Sequence, residues 1–409
     1  MTILPGLLET YWEQQQDPKD LLHNLRKKSW DHFLELGWPH KSREAFQYLS
    51  LQKIVFPKLS NSKTLENVSE YLLPNCAGHL VFVDGFFDMA LSSIPPSFIC
   101  LPLSVAMRSY GLFIQNRAMK TLKEEKDPLA VLNGALQGSA AFLYIPPKTR
   151  VAEPIQILQV STCEEMASPR LEIFVGKEAS LELIQTAACQ KKTAYSNSVI
   201  DAVLDEGSDL SLCDAQVLPR GAIHFQALRA SLKKDSRLKT RFFTTGAAIY
   251  RHSLKVQLME ENAEVLLQGL CTLDGDAEAH IHATIDHQAP HTRSRQHLKC
   301  VLKEKSRSSF EGKIVVQPIA QKTEAYQLNN NLILSDEASG YAKPNLEVFA
   351  DDVKASHGAT TGQLDSEQLF YLCSRGLDFE EAKKWLVRGF CKELIDQAPA
   401  VIQRLLFYA

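Results

Sequence analysis

From about residue 141 to residue 350 the chain is a succession of short β-type runs, with little that reads as an amphipathic helix. The runs include AFLYI, IQILQV, LEIFVG, SLELIQT, AIHFQAL, EVLLQG, HIHATI, HLKCVL and KIVVQP, each about five to seven residues, the ordinary strand length. Turn residues separate them, among them Gly176-Lys177, Glu206-Gly207-Ser208 and Asp274-Gly275-Asp276. So much β structure is too wide for a single sheet, and a β-solenoid, a large sandwich or a barrel could hold it. Several runs are apolar on both phases, and no crossover helices join them. This texture favours the solenoid, although no strict repeat length is visible.

Helical patterns flank this core, which gives three units: 1–137, 138–360 and 361–409. Asp17-Pro18 predicts a helix start, Leu21, Leu22, Leu25, Phe33 and Leu34 recur at helical spacing, and Gly37-Trp38-Pro39 stops the pattern. Ser42 to Leu51 is read as a second helix, and 110–137 as a further one broken at Asp127-Pro128. In the last unit Asp365 with Gln368, and Asp378 with Glu381, have capping-box spacing. Leu386, Phe390 and Leu394 share one helix face, and Gly376 marks the turn between the two helices.

Composition excludes several classes. Lys plus Arg number 45 and Asp plus Glu 48, a formal charge of −3, with 45% apolar residues. That is not a disordered chain, nor a protein that grips nucleic acid by bulk charge. Nine scattered cysteines without a C-x-x-C pair read as reduced, cytosolic thiols. The N-terminus has no signal-peptide pattern. The uncharged run Met89 to Met107 contains Pro95, Pro96 and Pro102, which suits a buried segment better than a membrane helix. Nucleotide-binding, dinucleotide-binding, nucleophile-elbow and H-E-x-x-H motifs are missing. His280, His282, His287, His291 and His297 form the densest histidine run, but no cysteine or carboxylate joins it at a zinc-site spacing.

The segment 321–376 is the most specific. Asn329-Asn330-Asn331 before an apolar run suggests turn geometry or an Asn ladder. Ser356 and His357 are neighbours and face opposite ways on an extended chain, which argues against a Ser–His dyad made by this pair. Asp351 and Asp352 meet the same objection as paired carboxylates.

At this segment the chain is similar to a known family. QKTEAYQLNNNLILS, PNLEVFADDVKASHGATTGQLD and EQLFYLCSRG closely resemble the core of the SufB/SufD family of iron–sulfur cluster assembly proteins, and ADDVK-x-SHGAT-x-G resembles its SufD branch. GWPHKSREAFQY at 37–48 and PLAVLNGALQGSAAFLYIPP at 128–147 resemble its N-terminal stretches. The resemblance implies a mainly β protein: a right-handed parallel β-helix core, an α-helical N-terminal domain and a C-terminal α-helical hairpin. It implies a non-catalytic, cytoplasmic scaffold subunit that pairs with a SufB-type paralogue and is driven by a SufC-type ABC ATPase. Neither a membrane nor nucleic acid is among the expected partners.

The same resemblance assigns residues. His357, in the SHG motif, would meet the paralogue and help hold a transient iron–sulfur cluster; a neutral imidazole is a credible iron ligand. Asp352 and Lys354 would border that interface. Phe370, Tyr371, Arg375 and Phe390 lie on the helices that would dock the ATPase, and ATP binding there would shift the β-helix interface. Assembled complexes of the family are linked to reduced flavin, although no flavin-binding signature is visible. One departure stands out: the family often has Cys two residues before this His, where this chain has Ala355. Cys373 and Cys391 are read as packing residues. The competing readings are a β-helix carbohydrate-active enzyme using Glu347, Asp351 or Asp352, and a self-contained metal-binding protein using the histidines at 280–297.

Overall fold

The computed structural model describes residues 5–14, 17, 19–54 and 65–403. Helices α1 (Pro5–Gln14) and α2 (His23–Leu36) open the chain. Strands Gly78–Val83, Phe86–Ser93 and Ile99–Pro102 come next, then α3 (Leu103–Glu124) and α4 (Pro128–Leu136). Strands run from Ala141 to Gly362, then come α5 (Ser366–Ser374) and α6 (Phe379–Ile395), and residues 400–403 are again helical. The strands form two facing ten-stranded sheets, parallel except at their N-terminal ends. Successive strands alternate between the sheets, the pattern of a parallel β-solenoid of about eight coils.

The coil length emerges in space. Strands of the first sheet start at residues 180, 209, 237, 264, 293, 324 and 354, which are 27–31 residues apart. Two positions before six of these starts the backbone turns left-handed, at Glu178, Gly207, Asp235, Asn262, His291 and Lys322. The next residue is small and fully buried each time: Ala179, Ser208, Ser236, Ala263, Thr292 and Thr323. A corner thus fixes a backbone angle and a volume, not a residue type, which is why no sequence repeat is visible. Most strands are ten residues long, not five to seven. They extend into polar positions such as Arg237, Glu264 and Arg293, where the main-chain ladder with the neighbouring coil holds them although hydropathy does not mark them.

Side chains alternate in and out along each strand. Leu210 and Leu212 point into the interior, with Leu238, Val265 and Leu267 in the adjoining coils. Both strand faces are often apolar because helices cover the outside. On the first sheet Cys213, Ala215, Phe243, Leu270 and Val301 pack against Cys391, Leu394 and Ile395 of α6. On the second, Tyr195, Ile223, Phe225 and Ile249 pack with Trp30, Phe33, Leu129 and Leu132.

Two helix expectations are corrected. The helix read as starting at Asp17-Pro18 is α2, and it begins at His23, because Asp17 and Asp20 form local turns by accepting the N–H groups of Lys19 and Leu22; Pro18 lies outside the described residues. Ser42–Leu51 is not a helix. Only the single turns Glu44–Phe46 and Leu51–Lys53 form. Tertiary contacts take that backbone instead: Phe46 and Leu49 are buried, and the Ser50 N–H and Oγ donate to the Glu278 carboxylate at 3.1 and 2.6 Å. The break at Asp127-Pro128 is as read, with the Asp127 carboxylate accepting from Leu129 N–H. The Met89–Met107 run forms strands and the first turn of α3. Among the described residues no helix is long and apolar enough to cross a membrane.

The interior is tightly fitted at Gly269, where an added Cβ would lie 2.1 Å from the Phe242 ring. Gly269→Ala is expected to lower stability by about 1–3 kcal/mol through overpacking, read as a lower urea midpoint with an unchanged slope.

Candidate functional site: the open C-terminal coil

The last coil is built from strands Ser339–Val348 and Lys354–Gly362, the terminal members of the two sheets. Each has a partner on one side only, so its other edge offers unpaired main-chain groups. Apolar side chains surround this end: Phe349 is 60% exposed, and Tyr341, Val348 and Leu328 are also exposed. Tyr341 stacks on Tyr48 at 4.3 Å between ring centres.

His357 lies in the final strand, paired in register with Gln327. It shares the inward phase with Ala355, and Ser356 takes the opposite one, as the alternation requires. His357 is nonetheless exposed, since no further coil covers it. Ala355 packs with Ile314, Val316 and Ala325, so the position where the family often has a thiol is filled by a methyl group on an apolar end plug. Among the described residues no three His, Cys, Asp or Glu side chains could hold a metal ion together.

Three of the carboxylates here, Glu324, Glu347 and Asp352, pair with lysines. Glu347 pairs with Lys313 at 2.6 Å and Asp352 with Lys322, while Lys354 reaches Glu324 at 3.3 Å. Asp351 and Asp352 sit in the exposed turn between the two strands.

The asparagine run is inside a strand, not before one. Asn329 and Asn331 face inward, and Asn331 Nδ2 donates to Asn329 Oδ1 at 2.9 Å and to Thr361 Oγ1 at 3.2 Å. Asn330 reaches Thr360 and His297 on the outside.

The histidine run does not converge. His280 and His282 share the outer face of one strand, against Ser309 and Glu278 and against Glu311 respectively. His287 is buried on the inner face between Thr292 Oγ1 (2.7 Å) and Ser294 Oγ (2.8 Å). His291 forms a corner, and His297 lies beside Glu393. Burial pushes His282 down to about 4 and His287 to about 3, which favours neutral rings held by neighbouring polar groups.

The C-terminal helices are set by their caps. Asp365 accepts from the N–H groups of Glu367 and Gln368, and Asp378 from that of Glu381. Gly376, at φ 100°, makes the turn between them. Only α6 has buried residues. Phe370 is 75% exposed, and Tyr371, Phe379 and Trp385 are exposed as well. Arg375 lies over the Tyr371 ring at 5.1 Å. Phe390 instead turns inward, half-buried under Lys299, whose Nζ sits 5.1 Å from the ring centre. Cys391 is buried and Cys373 half-buried; burial pushes the Cys391 thiol up to about 11.

Sequence comparison agrees along the chain. Residues 158–390 match the family model described as SUF system FeS cluster assembly, SufBD core domain, and residues 9–157 match the SufBD protein N-terminal region. The iron–sulfur cluster assembly protein SufD of Escherichia coli is 35% identical over 377 residues, covering 89% of this chain and 86% of that protein. An iron–sulfur cluster assembly SufBD family protein of Synechocystis is 29% identical over 400 residues, covering 93% and 88%. The chloroplastic protein ABCI7 of Arabidopsis thaliana is 26% identical over 403 residues, covering 92% and 83%. The chain belongs to the SufBD family of iron–sulfur cluster assembly proteins, as a homologue of SufD.

Proposed function

We propose that this chain is a non-catalytic scaffold subunit that pairs with a SufB-type paralogue and is driven by a SufC-type ABC ATPase in the cytoplasm. The observation that carries this reading is the open last coil: two unpaired strand edges, exposed apolar side chains and an exposed His357 at one end of the solenoid. A paralogous coil stacked there would continue both sheets and cover that apolar surface. Asp352 and Lys354 flank the junction. His357 would supply one ligand to a cluster whose remaining ligands come from the paralogue, a division that suits a chain with Ala355 and no clustered ligand set among its described residues.

The ATPase would dock on the exposed ring face of Phe370 and Tyr371 with Arg375, on a helix that buries none of its own residues. Phe390 would brace α6 beneath it. Nucleotide-driven movement of these helices would shift the solenoid junction. Reduced flavin enters only at the level of the assembled complex.

The test is co-expression with the paralogue and the ATPase, followed by iron and acid-labile sulfide assay after reconstitution. His357→Ala is expected to co-purify normally and to lose most of its iron and sulfide. Unchanged cluster content would leave a structural subunit and move the chemistry to the paralogue. Failure of the three chains to associate would defeat the complex-subunit reading.

A further inference from the structure

Beneath His357 the solenoid interior changes character. One inward column runs Leu267, Gln296, Gln327 and His357 in successive coils of the first sheet. Gln296 and Gln327 are 2% and 3% exposed. Gln327 Nε2 donates to Gln296 Oε1 at 3.4 Å, while Gln327 Oε1 has no partner. In the next column Asn329 is fully buried, and its Nδ2 is also without one. The backbone reserves space for the Gln327 amide: on the opposite sheet a Cβ added to Gly312 would fall 1.6 Å from Gln327 Nε2.

A buried amide oxygen left without a donor is costly, and native interiors rarely tolerate one. The next side chain in the Gln327 column, towards the open end, is the His357 imidazole, which carries one ring N–H when neutral. A hydrogen bond from one ring nitrogen fixes which nitrogen is left with a lone pair for a metal.

We propose that Gln327 is a positioning residue for His357: its Oε1, which has no partner in this structure, becomes the acceptor of the His357 ring N–H when the imidazole turns in over it, fixes one tautomer, and presents the other ring nitrogen to the incoming iron–sulfur cluster. Gln296 holds the Gln327 amide from below, so that its oxygen rather than its nitrogen faces the mouth of the solenoid. Gln327 itself does not touch the cluster. The inference rests on the reading of His357 as a cluster ligand, but its test does not depend on a cluster being formed.

The experiment uses the full chain with ¹⁵N-labelled histidine. Two-bond ¹H–¹⁵N correlation reads the tautomer, and the His357 signals are assigned by their loss in His357→Asn. The expected result is one dominant His357 tautomer with a slowly exchanging ring N–H. In Gln327→Met, which keeps length and removes the acceptor, that N–H signal should disappear and the two tautomers should mix, with the buried His287 signals unmoved. A mixed tautomer in the wild-type chain would overturn the proposal, as would an unchanged His357 spectrum in folded Gln327→Met. The wild-type measurement decides alone if the variant does not fold. A locked tautomer together with unchanged cluster content in His357→Ala would keep the positioning and remove the ligand role.

Discussion

Asp201→Ala is expected to destabilise the chain by about 3–5 kcal/mol, because it leaves buried arginines short of a counter-charge. The side chain is 2% exposed on the outer face of the second sheet. Arg170 pairs with it from the preceding coil, and Arg229 from the following one at 2.8 Å. Arg170 also meets Glu172 at 3.0 Å, Glu172 meets Arg117 at 2.7 Å, and Arg229 meets Glu125 at 2.9 Å. Arg117 and Glu125 come from α3 and its C-cap, so this one network ties the N-terminal helices to three coils of the solenoid. Burial disfavours the charged Asp201, yet Arg229, Arg170 and Arg117 outweigh it and hold its carboxyl far below the usual range. A loss of that size is a large share of the roughly 5–15 kcal/mol that stabilises a typical domain. Urea unfolding measures it, and a cycle with Arg229→Met should recover part of the loss, since the second change removes a stranded charge. A cost below about 1 kcal/mol would mean that the network is not the fastening described.

The second large effect is acid lability. Burial holds four imidazoles neutral, pushing His224 and His282 down to about 4 and His252 and His287 to about 3. Each takes up a proton on unfolding below its ordinary value near 6.5. The stability it contributes is present above that value and is lost as pH falls toward its folded value. Asp214 acts in the opposite sense. Burial raises it to about 7, although it accepts from Gln216 Nε2 at 2.6 Å, and from Gln185 Nε2 and Tyr250 Oη at 3.2 Å each. Its contribution is complete below about 3.8 and is lost as pH rises through 7. Near pH 5 unfolding therefore takes up four protons and releases one. At ~1.4 kcal/mol per proton per pH unit, a net uptake of about three gives a loss of about 4 kcal/mol for each unit of acidification. Urea midpoints at pH 6.5, 5.5 and 5.0 test this, and Asp214→Asn should steepen the dependence by about a third. A flat profile would show that these histidines are not buried neutral.

The candidate site was only partly legible in advance. The opposed directions of Ser356 and His357 follow from strand alternation alone. That His357 stands over a column of buried amides does not, because Gln296, Gln327 and His357 are 31 and 30 residues apart and meet only through coil register. The interior amides carry no sequence signal, since Gln327 and Asn329 look like ordinary polar strand residues. Phe390 shows the converse. Its helical spacing with Leu386 and Leu394 is plain, but whether that face meets a partner or the chain's own sheet depends on where α6 lands, and here it lands on Lys299.

The sequence by itself determined what is local. Asp127, Asp365 and Asp378 each bond main-chain N–H groups within three residues, so their helix starts are visible in the residue order. The β content of the core and the Gly376 turn are local in the same way. Only the tertiary structure decided the coil length, the extension of the strands to ten residues, the 3-10 turns of 44–53 and the charge network around Asp201. These depend on main-chain ladders and buried pairs between distant residues. A parallel coil asks each position only for an allowed backbone angle and a side chain of suitable volume. Glu178, Gly207, Asp235, Asn262, His291 and Lys322 meet that demand equally well at one repeated corner.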